Sequence, residues 1–412
     1  METMAQKSIS QKAIELENRY GAHNYHPLDV VLDRGEGVFV WDVDGKKYFD
    51  FLSAYSAVNQ GHCHPKIIQA LIEQSKKLTL TSRAFYNSSL GEYEKFITQY
   101  FGYDKVLPMN TGAEGVETAL KLCRKWAYEK KGIAADHAKI IVCEGNFHGR
   151  TISIVSASSD PDAKKNFGPY TPGFITIPYN DINALVNALK DKNVAGFLVE
   201  PVQGERGVMI PDEGYLAKSF ELCKKANVLF IADEIQTGLG RTGKRLCCDH
   251  ENVRPDVLIL GKALAGGTMP VSAVLADDDI MLCIKPGEHG STYGGNPLAC
   301  KVAMASINVL EEENMYENSY SLGKILLAEL KKIQTEKSDI VLNVRGKGLF
   351  AAIVIKERNN KSAWELCLAL KENGLLAKPT HGDIIRLAPP LLITEKQLME
   401  CVSILRKTIL EF

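Results

Sequence analysis

The chain has 412 residues, of which 45% are hydrophobic and 24% charged, and its formal net charge is −1. Such a length is typical of two domains or of one large domain with a satellite. The balanced charge argues against a nucleic-acid or membrane surface, and no apolar run approaches the ~20 residues that a membrane span needs. We therefore expect a globular protein with neither kind of partner.

The N-terminal segment and the cysteines bear on location. The segment has no apolar signal core, and its acidic residues Glu2, Glu15 and Glu17 are unusual in an organelle transit peptide. The ten cysteines are scattered and form no CxxC pair, which indicates free thiols in a reducing compartment. A cytoplasmic protein is expected.

Predicted strands and helices alternate along most of the chain. A hairpin with Asp44-Gly45 at its turn comes first, within VFVWDVDGKKYFD. The elements that follow are helices at 64–78 and 113–131, strands at 139–145 and 196–201, a helix at 213–227, and strands at 229–234 and 256–261. This order predicts an α/β fold with a mostly parallel, doubly wound sheet and right-handed crossovers.

The C-terminal part has a different pattern. A long helical stretch begins near residue 298, and strands are predicted within 344–355 and 384–391. We predict a large domain at 50–297 and a smaller α+β domain that is built from both termini, 1–49 and 298–412.

Asp233 and Lys262 are the most informative pair of residues. Each follows a short apolar run that is typical of a buried parallel strand, in LFIADE and in DVLILGK. Parallel strands deliver their ends to one edge of the sheet, where ligands bind. A lysine that forms a Schiff base and a carboxylate that keeps a pyridine nitrogen protonated are the minimum equipment of an enzyme that uses pyridoxal 5′-phosphate. A solvated surface lysine is the alternative, but the small residues around Lys262 favour a planar cofactor.

Three other motifs suggest anion binding. The sequence Asn110-Thr111-Gly112-Ala113 opens the predicted helix at 113–131, either as a phosphate cradle or as an ordinary N-cap. In FHGR, Phe147 is suited to stacking on a ring and Arg150 to gripping a carboxylate. Arg386 lies in an apolar strand and needs a partner if it is buried, for which Glu205 is a candidate.

Two further motifs match patterns for dinucleotide binding and for metal binding, and we reject both interpretations. The sequence GLGRTG matches a dinucleotide fingerprint, but no apolar helix follows it. The triplet His62-Cys63-His64 has no fourth ligand in view, so a structural use is favoured and no metal is expected.

Together these residues resemble the class-III, fold-type I aminotransferases that depend on pyridoxal phosphate. The resemblance extends from about Tyr20 to the end of the chain. The stretch from Phe230 to Gly267 resembles the attachment signature of that family, which is highly specific. The segments FHGRT, EPVQGERGV, HGSTYGGNP and RLAPPL resemble the branch of the family that acts on ornithine.

The resemblance implies a role for each matching residue. At the cofactor, Lys262 would be the Schiff-base lysine and proton shuttle, Asp233 would pair with the pyridine nitrogen, and Gln236 would bond the phenolic oxygen. Phe147 would stack on the ring, with His148 beside it. The phosphate would be bound by Thr111, Gly112 and Ala113 of the same chain, helped by Thr292 from the neighbouring subunit. For the substrates the matching residues are Tyr25, Tyr55 and Arg150 for ornithine, and Arg386, masked by Glu205, for 2-oxoglutarate. A homodimer with shared active sites is also implied.

The implied activity is transfer of the δ-amino group of L-ornithine to 2-oxoglutarate. It yields glutamate and glutamate 5-semialdehyde, which cyclises to pyrroline-5-carboxylate, a step between arginine metabolism and proline biosynthesis. Acetylornithine or 4-aminobutyrate as the donor, an aminomutase, and a non-catalytic binding protein remain alternatives. Tyr55 discriminates against 4-aminobutyrate, because relatives that act on it carry an apolar residue there. The presence of both Lys262 and Asp233 argues against a binding protein.

Overall fold

The computed structural model describes residues 8–358 and 361–412. The strands are β1 (Leu32–Glu36), β2 (Phe39–Asp42), β3 (Lys47–Asp50), β4 (Lys105–Met109), β5 (Lys139–Cys143), β6 (Phe174–Ile177), β7 (Val194–Val199), β8 (Leu229–Asp233), β9 (Val257–Leu260), β10 (Ser272–Ala276), β11 (Val341–Gly346), β12 (Ala351–Ile355), β13 (Leu375–Leu376), β14 (Lys378–Thr380) and β15 (Ile384–Leu387). The helices are α1 (Ile9–Tyr20), α2 (Ser53–Ser56), α3 (Pro65–Ser75), α4 (Leu90–Phe101), α5 (Gly112–Trp126), α6 (Ile152–Ala157), α7 (Pro161–Lys164), α8 (Ile182–Ala188), α9 (Tyr215–Lys225), α10 (Asp278–Met281), α11 (Pro297–Glu312), α12 (Met315–Glu336), α13 (Ala363–Glu372) and α14 (Glu395–Glu411). Within the two described ranges, every helix is too short or too polar to cross a membrane.

The central sheet confirms the predicted α/β fold. Its strand order is β4-β10-β9-β8-β7-β5-β6. The pairs from β9 through β6 are parallel, and β10 is antiparallel to both of its neighbours. Every residue of β7, β8, β9 and β10 is buried, as expected of strands that helices cover on both faces.

Two smaller sheets connect the ends of the chain. The predicted N-terminal hairpin is present as β2 and β3, with Gly45 at φ 84° in its turn. The C-terminal strand β13 adds to it in parallel, with Leu375 opposite Phe49. The third sheet has the order β11-β12-β15-β14. The pairing of β13 with β3 agrees with a smaller domain built from both termini, whose boundaries stay a prediction.

Helix α5 and strand β15 differ from their sequence patterns towards their C-terminal ends. The helix that begins at Gly112 changes into a π-helical turn at Ala127–Lys131 and ends before Gly132, which has φ 80°. Strand β15 ends at Leu387, and the pattern continues into Pro389-Pro390, which cannot donate to a strand ladder.

Nine of the ten cysteines lie in the core. All ten are free thiols, and all except Cys63 are buried. Burial raises the pKa of Cys123 and Cys143 to about 12. These thiols therefore stay protonated near neutral pH and act as small apolar side chains.

The GLGRTG loop packs against the C-terminal part of the chain. Gly243 has φ 90°, and a Cβ there would lie 2.8 Å from the backbone of Tyr320. The fully buried Arg241 donates from Nη1 to the carbonyls of Leu349 at 2.8 Å and Pro389 at 2.7 Å. The glycines thus permit a close approach of two backbones.

The His62-Cys63-His64 triplet makes hydrogen bonds within the fold. Nε2 of His62 lies 2.7 Å from Oδ2 of Asp50, and Nε2 of His64 lies 3.0 Å from Oε1 of Glu313. In residues 8–358 and 361–412, no group of three or more His, Cys, Asp or Glu side chains is arranged so that it could hold a metal ion.

Candidate active site

The predicted cofactor residues Asp233 and Lys262 lie at the same edge of the central sheet. Asp233 ends β8, and Lys262 stands two residues beyond the parallel strand β9. Lys262 has φ 45°, a left-handed conformation that costs an L-residue roughly 1–2 kcal/mol. Residues strained in this way are enriched at functional sites. Desolvation lowers the pKa of the Lys262 amine, although the carboxylate of Glu205 opposes that shift.

Most of the predicted cofactor residues surround one cavity of about 600 Å³ that opens to solvent. Its lining residues are Gly112, Ala113, Phe147, His148, Gly149, Glu200, Asp233, Ile235, Gln236 and Lys262. A second cavity of about 740 Å³ shares Gly112 and Lys262 with the first and is also lined by Asn110 and Thr111. The two cavities thus place the predicted phosphate cradle beside the lysine.

Buried ionisable side chains form the polar part of this lining. Nδ1 of His148 lies 2.7 Å from Oδ2 of Asp233, and Oε1 of Glu200 accepts a hydrogen bond of 2.8 Å from the Phe147 N–H. Burial raises the pKa of Glu200 to about 8, so this group is mostly protonated at neutral pH. Burial by itself lowers the pKa of His148, but the bond to Asp233 outweighs it and the pKa is raised.

The start of α5 is both an N-cap and an anion cradle. The hydroxyl oxygen of Thr111 accepts from the Glu114 N–H at 3.2 Å, and the Glu114 carboxylate accepts from the N–H groups of Asn110 and Thr111. This capping box leaves the N–H groups of Gly112 and Ala113, and the hydroxyl proton of Thr111, for an anion. The two uses that the sequence suggests are therefore compatible.

Gln236 is held between two loops. Its Nε2 donates to the carbonyl of Tyr55 at 3.3 Å. On its other side a Cβ on Gly204 would lie 1.7 Å from Oε1 of Gln236. A side chain at position 204 would thus displace Gln236 from the cavity.

Tyr55 stands on a strained turn. The residues from Ser53 to Ser56 all have positive φ, between 45° and 71°, so α2 winds to the left. Asp50 holds the start of this turn, since its Oδ1 accepts from the N–H groups of Leu52 at 2.8 Å and Ser53 at 2.9 Å. Four left-handed residues in a row cost roughly 1–2 kcal/mol each, which marks the turn as a functional segment.

Arg386 and Glu205 form a largely buried ion pair next to Tyr55. Nη1 of Arg386 lies 2.6 Å from Oε1 of Glu205, and Cζ of Arg386 lies 4.9 Å from the Tyr55 ring centroid. Arg386 is only 4% exposed. Burial would raise the pKa of Glu205, but Arg386 lowers it overall, so the carboxylate stays ionised. The predicted pair is present in the structure.

Three of the predicted residues that line neither cavity are exposed on the surface. Tyr25 is 71% exposed. Arg150 is exposed, with Cζ 5.7 Å from the Phe147 ring centroid. Thr292 is exposed in the loop before α11. The chain by itself does not bring these three to the cofactor cavity.

The family model described as aminotransferase class-III matches residues 20–409. The chain belongs to the class-III aminotransferases. The fold-type I architecture of that class agrees with the parallel-rich central sheet and the smaller sheets beside it.

Relatives of this class-III aminotransferase match over nearly the whole chain. A rat protein named ornithine aminotransferase, mitochondrial, is 64% identical, over 98% of this chain and 91% of its own length. The solved structure of an ornithine aminotransferase from Toxoplasma gondii, reported with partial occupancy of PLP, has 47% identity and a TM-score of 0.95, and the match covers 97% of this chain and 94% of that one. A structure named acetylornithine aminotransferase, from Elizabethkingia anophelis, has 63% identity and a TM-score of 0.90, with coverage of 98% and 100%.

Pyridoxal 5′-phosphate is the cofactor of this class, and the cavity fits it. The buried Nε2 of His148 has no hydrogen-bond partner among the described residues, which is unusual unless a ligand completes the site. Phe147 supplies an aromatic face, Asp233 a buried carboxylate, and the start of α5 free N–H groups. The donor set thus matches a planar, anionic, nitrogen-containing ring.

Sequence reasoning left three contributors to the site without a role. Glu200 follows β7 and holds the Phe147 backbone, Ile235 lines the cavity, and Gly204 makes room for Gln236. The position of Glu200 directly after a buried strand, in FLVEP, predicted that it lies at the ligand-binding edge of the sheet but gave it no specific role. The roles of Ile235 and Gly204 depend on contacts that are distant in sequence.

Proposed function

We propose that this chain transfers the δ-amino group of L-ornithine to 2-oxoglutarate, with glutamate and glutamate 5-semialdehyde as products. The ion pair of Arg386 with Glu205, beside Tyr55 and within electrostatic reach of Lys262, carries this proposal. Such an arrangement suits an enzyme that must take two differently charged substrates at one site. The names of the rat relative and of a Plasmodium falciparum relative, which is 56% identical, support it.

The bound cofactor supplies an aldehyde that takes up the amino group and a protonated ring that withdraws electrons. Asp233 would hold its pyridine nitrogen, Gln236 its phenolic oxygen, and Phe147 its ring, with His148 keeping Asp233 in place. Its phosphate would lie on the cradle of Thr111, Gly112 and Ala113, the end of the cavity where free N–H groups are available.

Lys262 supplies the proton transfer. Its amine has a lowered pKa because it is desolvated, so a larger fraction is neutral at neutral pH than for an exposed lysine. A neutral Nζ accepts the proton from the substrate carbon that bears the reacting amine. The position of Lys262 two residues beyond β9 places this amine at the strand edge.

The ornithine side of the site would be formed by Arg150, Tyr55 and Tyr25. Arg150 offers a guanidinium for the α-carboxylate, and the two tyrosine hydroxyls would fix the α-amino end. With ornithine bound this way, its distal amine faces Lys262, and Arg386 has to be neutralised by Glu205 because a bare guanidinium would repel that amine.

Glutamate as the donor needs Arg386 free of Glu205, the opposite of what ornithine needs. Glutamate presents its α-amine to the cofactor, so its α-carboxylate needs an arginine close to Lys262. Arg386 fits that need once Glu205 moves away. The exposure of the Glu205 side chain, 25% against 5% for Arg386, leaves it room to do so. We therefore propose that Glu205 masks Arg386 while ornithine is bound.

Acetylornithine is the second candidate donor, because the similar structure from Elizabethkingia anophelis is named acetylornithine aminotransferase. Its acetyl group removes the α-ammonium charge that Tyr55 and Tyr25 would contact. Single-turnover reactions with ornithine, acetylornithine, 4-aminobutyrate and glutamate, followed by cofactor absorbance, separate these donors. Ornithine is expected to react fastest, and a faster reaction of acetylornithine would contradict the proposal.

The same assay tests the mask. In Glu205→Ala, the rate with glutamate relative to ornithine is expected to rise by roughly tenfold or more, because removing one member of a buried charge pair usually changes energies by more than about 1.4 kcal/mol. Glu205→Gln, which keeps the shape and loses the charge, should change the ratio in the same direction. An unchanged ratio in both variants would show that Glu205 is a bystander.

We also propose a homodimer in which Thr292 reaches the phosphate of the neighbouring subunit. Support comes from its exposed position in the loop before α11, from which its side chain is free to meet a second subunit. Dilution is then expected to lower dimer content and cofactor retention together. Sedimentation with simultaneous visible detection checks this, and a monomer that retains cofactor would refute it.

The proposed function also concerns the cellular compartment of the enzyme and the pathway that its product enters. We propose a cytoplasmic enzyme, although the rat relative is named mitochondrial. Cell fractionation of the expressed full chain decides between the two compartments. Cyclisation of the product to pyrroline-5-carboxylate would connect arginine metabolism with proline biosynthesis.

A further inference from the structure

The loop that carries Glu205 is held by two side chains from the C-terminal part of the chain. Oγ1 of Thr380 donates to the carbonyl of Glu205 at 3.0 Å, and Nε of Arg345 donates to the carbonyl of Gly207 at 2.7 Å. Both donors come from the sheet formed by β11, β12, β15 and β14. The backbone that carries Glu205 therefore depends on that sheet for its position.

The same sheet carries the other member of the ion pair. Strands β14 and β15 form an antiparallel hairpin in which Lys378 pairs with Arg386 and Thr380 pairs with Ile384. One strand of the hairpin thus presents Arg386, and the other holds the backbone of Glu205 through the hydroxyl of Thr380. A single rigid unit fixes both ends of the pair.

We propose that Thr380 is a positioning residue that keeps Glu205 over Arg386 and thereby sets the preference between the two amino donors. This inference rests on the proposed masking of Arg386. Thr380 is half-buried and its hydroxyl donates to backbone only, so it acts through Glu205. Its loss frees the Glu205 backbone, lowers the share of time in which Arg386 is masked, and favours glutamate.

The expected size of the effect follows from the bond. A neutral hydrogen bond of this kind typically shifts an equilibrium by roughly three- to tenfold. Arg345 still holds the loop at Gly207, so the effect of losing Thr380 should be smaller than that of losing the Glu205 carboxylate itself. Thr380→Val is therefore expected to raise the ratio of the glutamate rate to the ornithine rate by about threefold or more.

The experiment uses the holoenzyme and the two half-reactions, measured by stopped-flow absorbance. Thr380→Val removes the donor at nearly constant volume, and Thr380→Ser keeps the hydroxyl and should restore the wild-type ratio. Thr335→Val serves as the matched control, since it removes an exposed helical hydroxyl that bonds the Lys331 carbonyl. Should Thr380→Val fail to fold, Thr380→Ala gives the same readout without the added methyl group.

A double variant distinguishes positioning from general damage. In the Glu205→Ala background, Thr380→Val is expected to change the ratio no further, because no mask is left to position. A ratio that rises in Glu205→Ala and stays at the wild-type value in Thr380→Val overturns the inference and leaves the masking intact. A ratio that stays unchanged in Glu205→Ala overturns the masking itself and the role of Thr380 with it.

Discussion

Replacing Lys262 with alanine is expected to abolish transamination, with a loss of more than about 10⁴-fold in rate. A positioned proton-transfer group alone contributes up to about that factor, and this lysine also forms the covalent bond to the cofactor. No other lysine lines the cavity of the described structure. The remaining site residues would still bind the cofactor, but without the amine that joins it to the chain.

Two measurements check this expectation. Borohydride treatment followed by mass spectrometry should fix the cofactor to the wild-type chain and leave Lys262→Ala unmodified, and steady-state assays should show the loss of rate. Lys332→Ala is the matched control, because Lys332 is an exposed lysine paired with Glu329 on α12. Normal turnover of Lys262→Ala would overturn the cofactor assignment.

Replacing Asp233 with alanine is expected to reduce the rate by several orders of magnitude and to weaken cofactor binding. Without the carboxylate the pyridine nitrogen loses its proton, and a neutral ring withdraws electrons poorly. The substitution also changes the pKa of His148. Burial lowers the pKa of His148, whereas the hydrogen bond and charge of Asp233, and to a smaller extent Glu200, raise it, so the loss of Asp233 is expected to lower the pKa of His148.

The half-reaction rate with ornithine and the dissociation constant of the cofactor measure this effect. Asp233→Asn separates charge from shape, because it keeps the size of the side chain and removes the negative charge. Both variants are expected to lose rate, and Asn is expected to retain more cofactor than Ala. Near wild-type rates in Asp233→Asn would show that the charge of Asp233 does not face the ring.

The sequence by itself determined four of the seven strands of the central sheet, β5, β7, β8 and β9. Apolar runs predicted β8 and β9, and their ends delivered Asp233 and Lys262 to one edge. The hairpin turn at Gly45 and the capped start of α5 were also readable, because turns and caps depend on neighbours along the chain. The need of a buried arginine for a partner, together with the family resemblance, led to Glu205.

Only the tertiary structure decided how the substrate side of the site is built. Thr380 and Glu205 are 175 residues apart, and the carbonyl of Tyr55 in the strained turn accepts from Gln236, which is 181 residues away. Such contacts leave no periodic signal, because they form when separate elements pack together. Composition and spacing report local conformation and burial, whereas the alignment of one loop against a distant hairpin is set by packing of the whole fold.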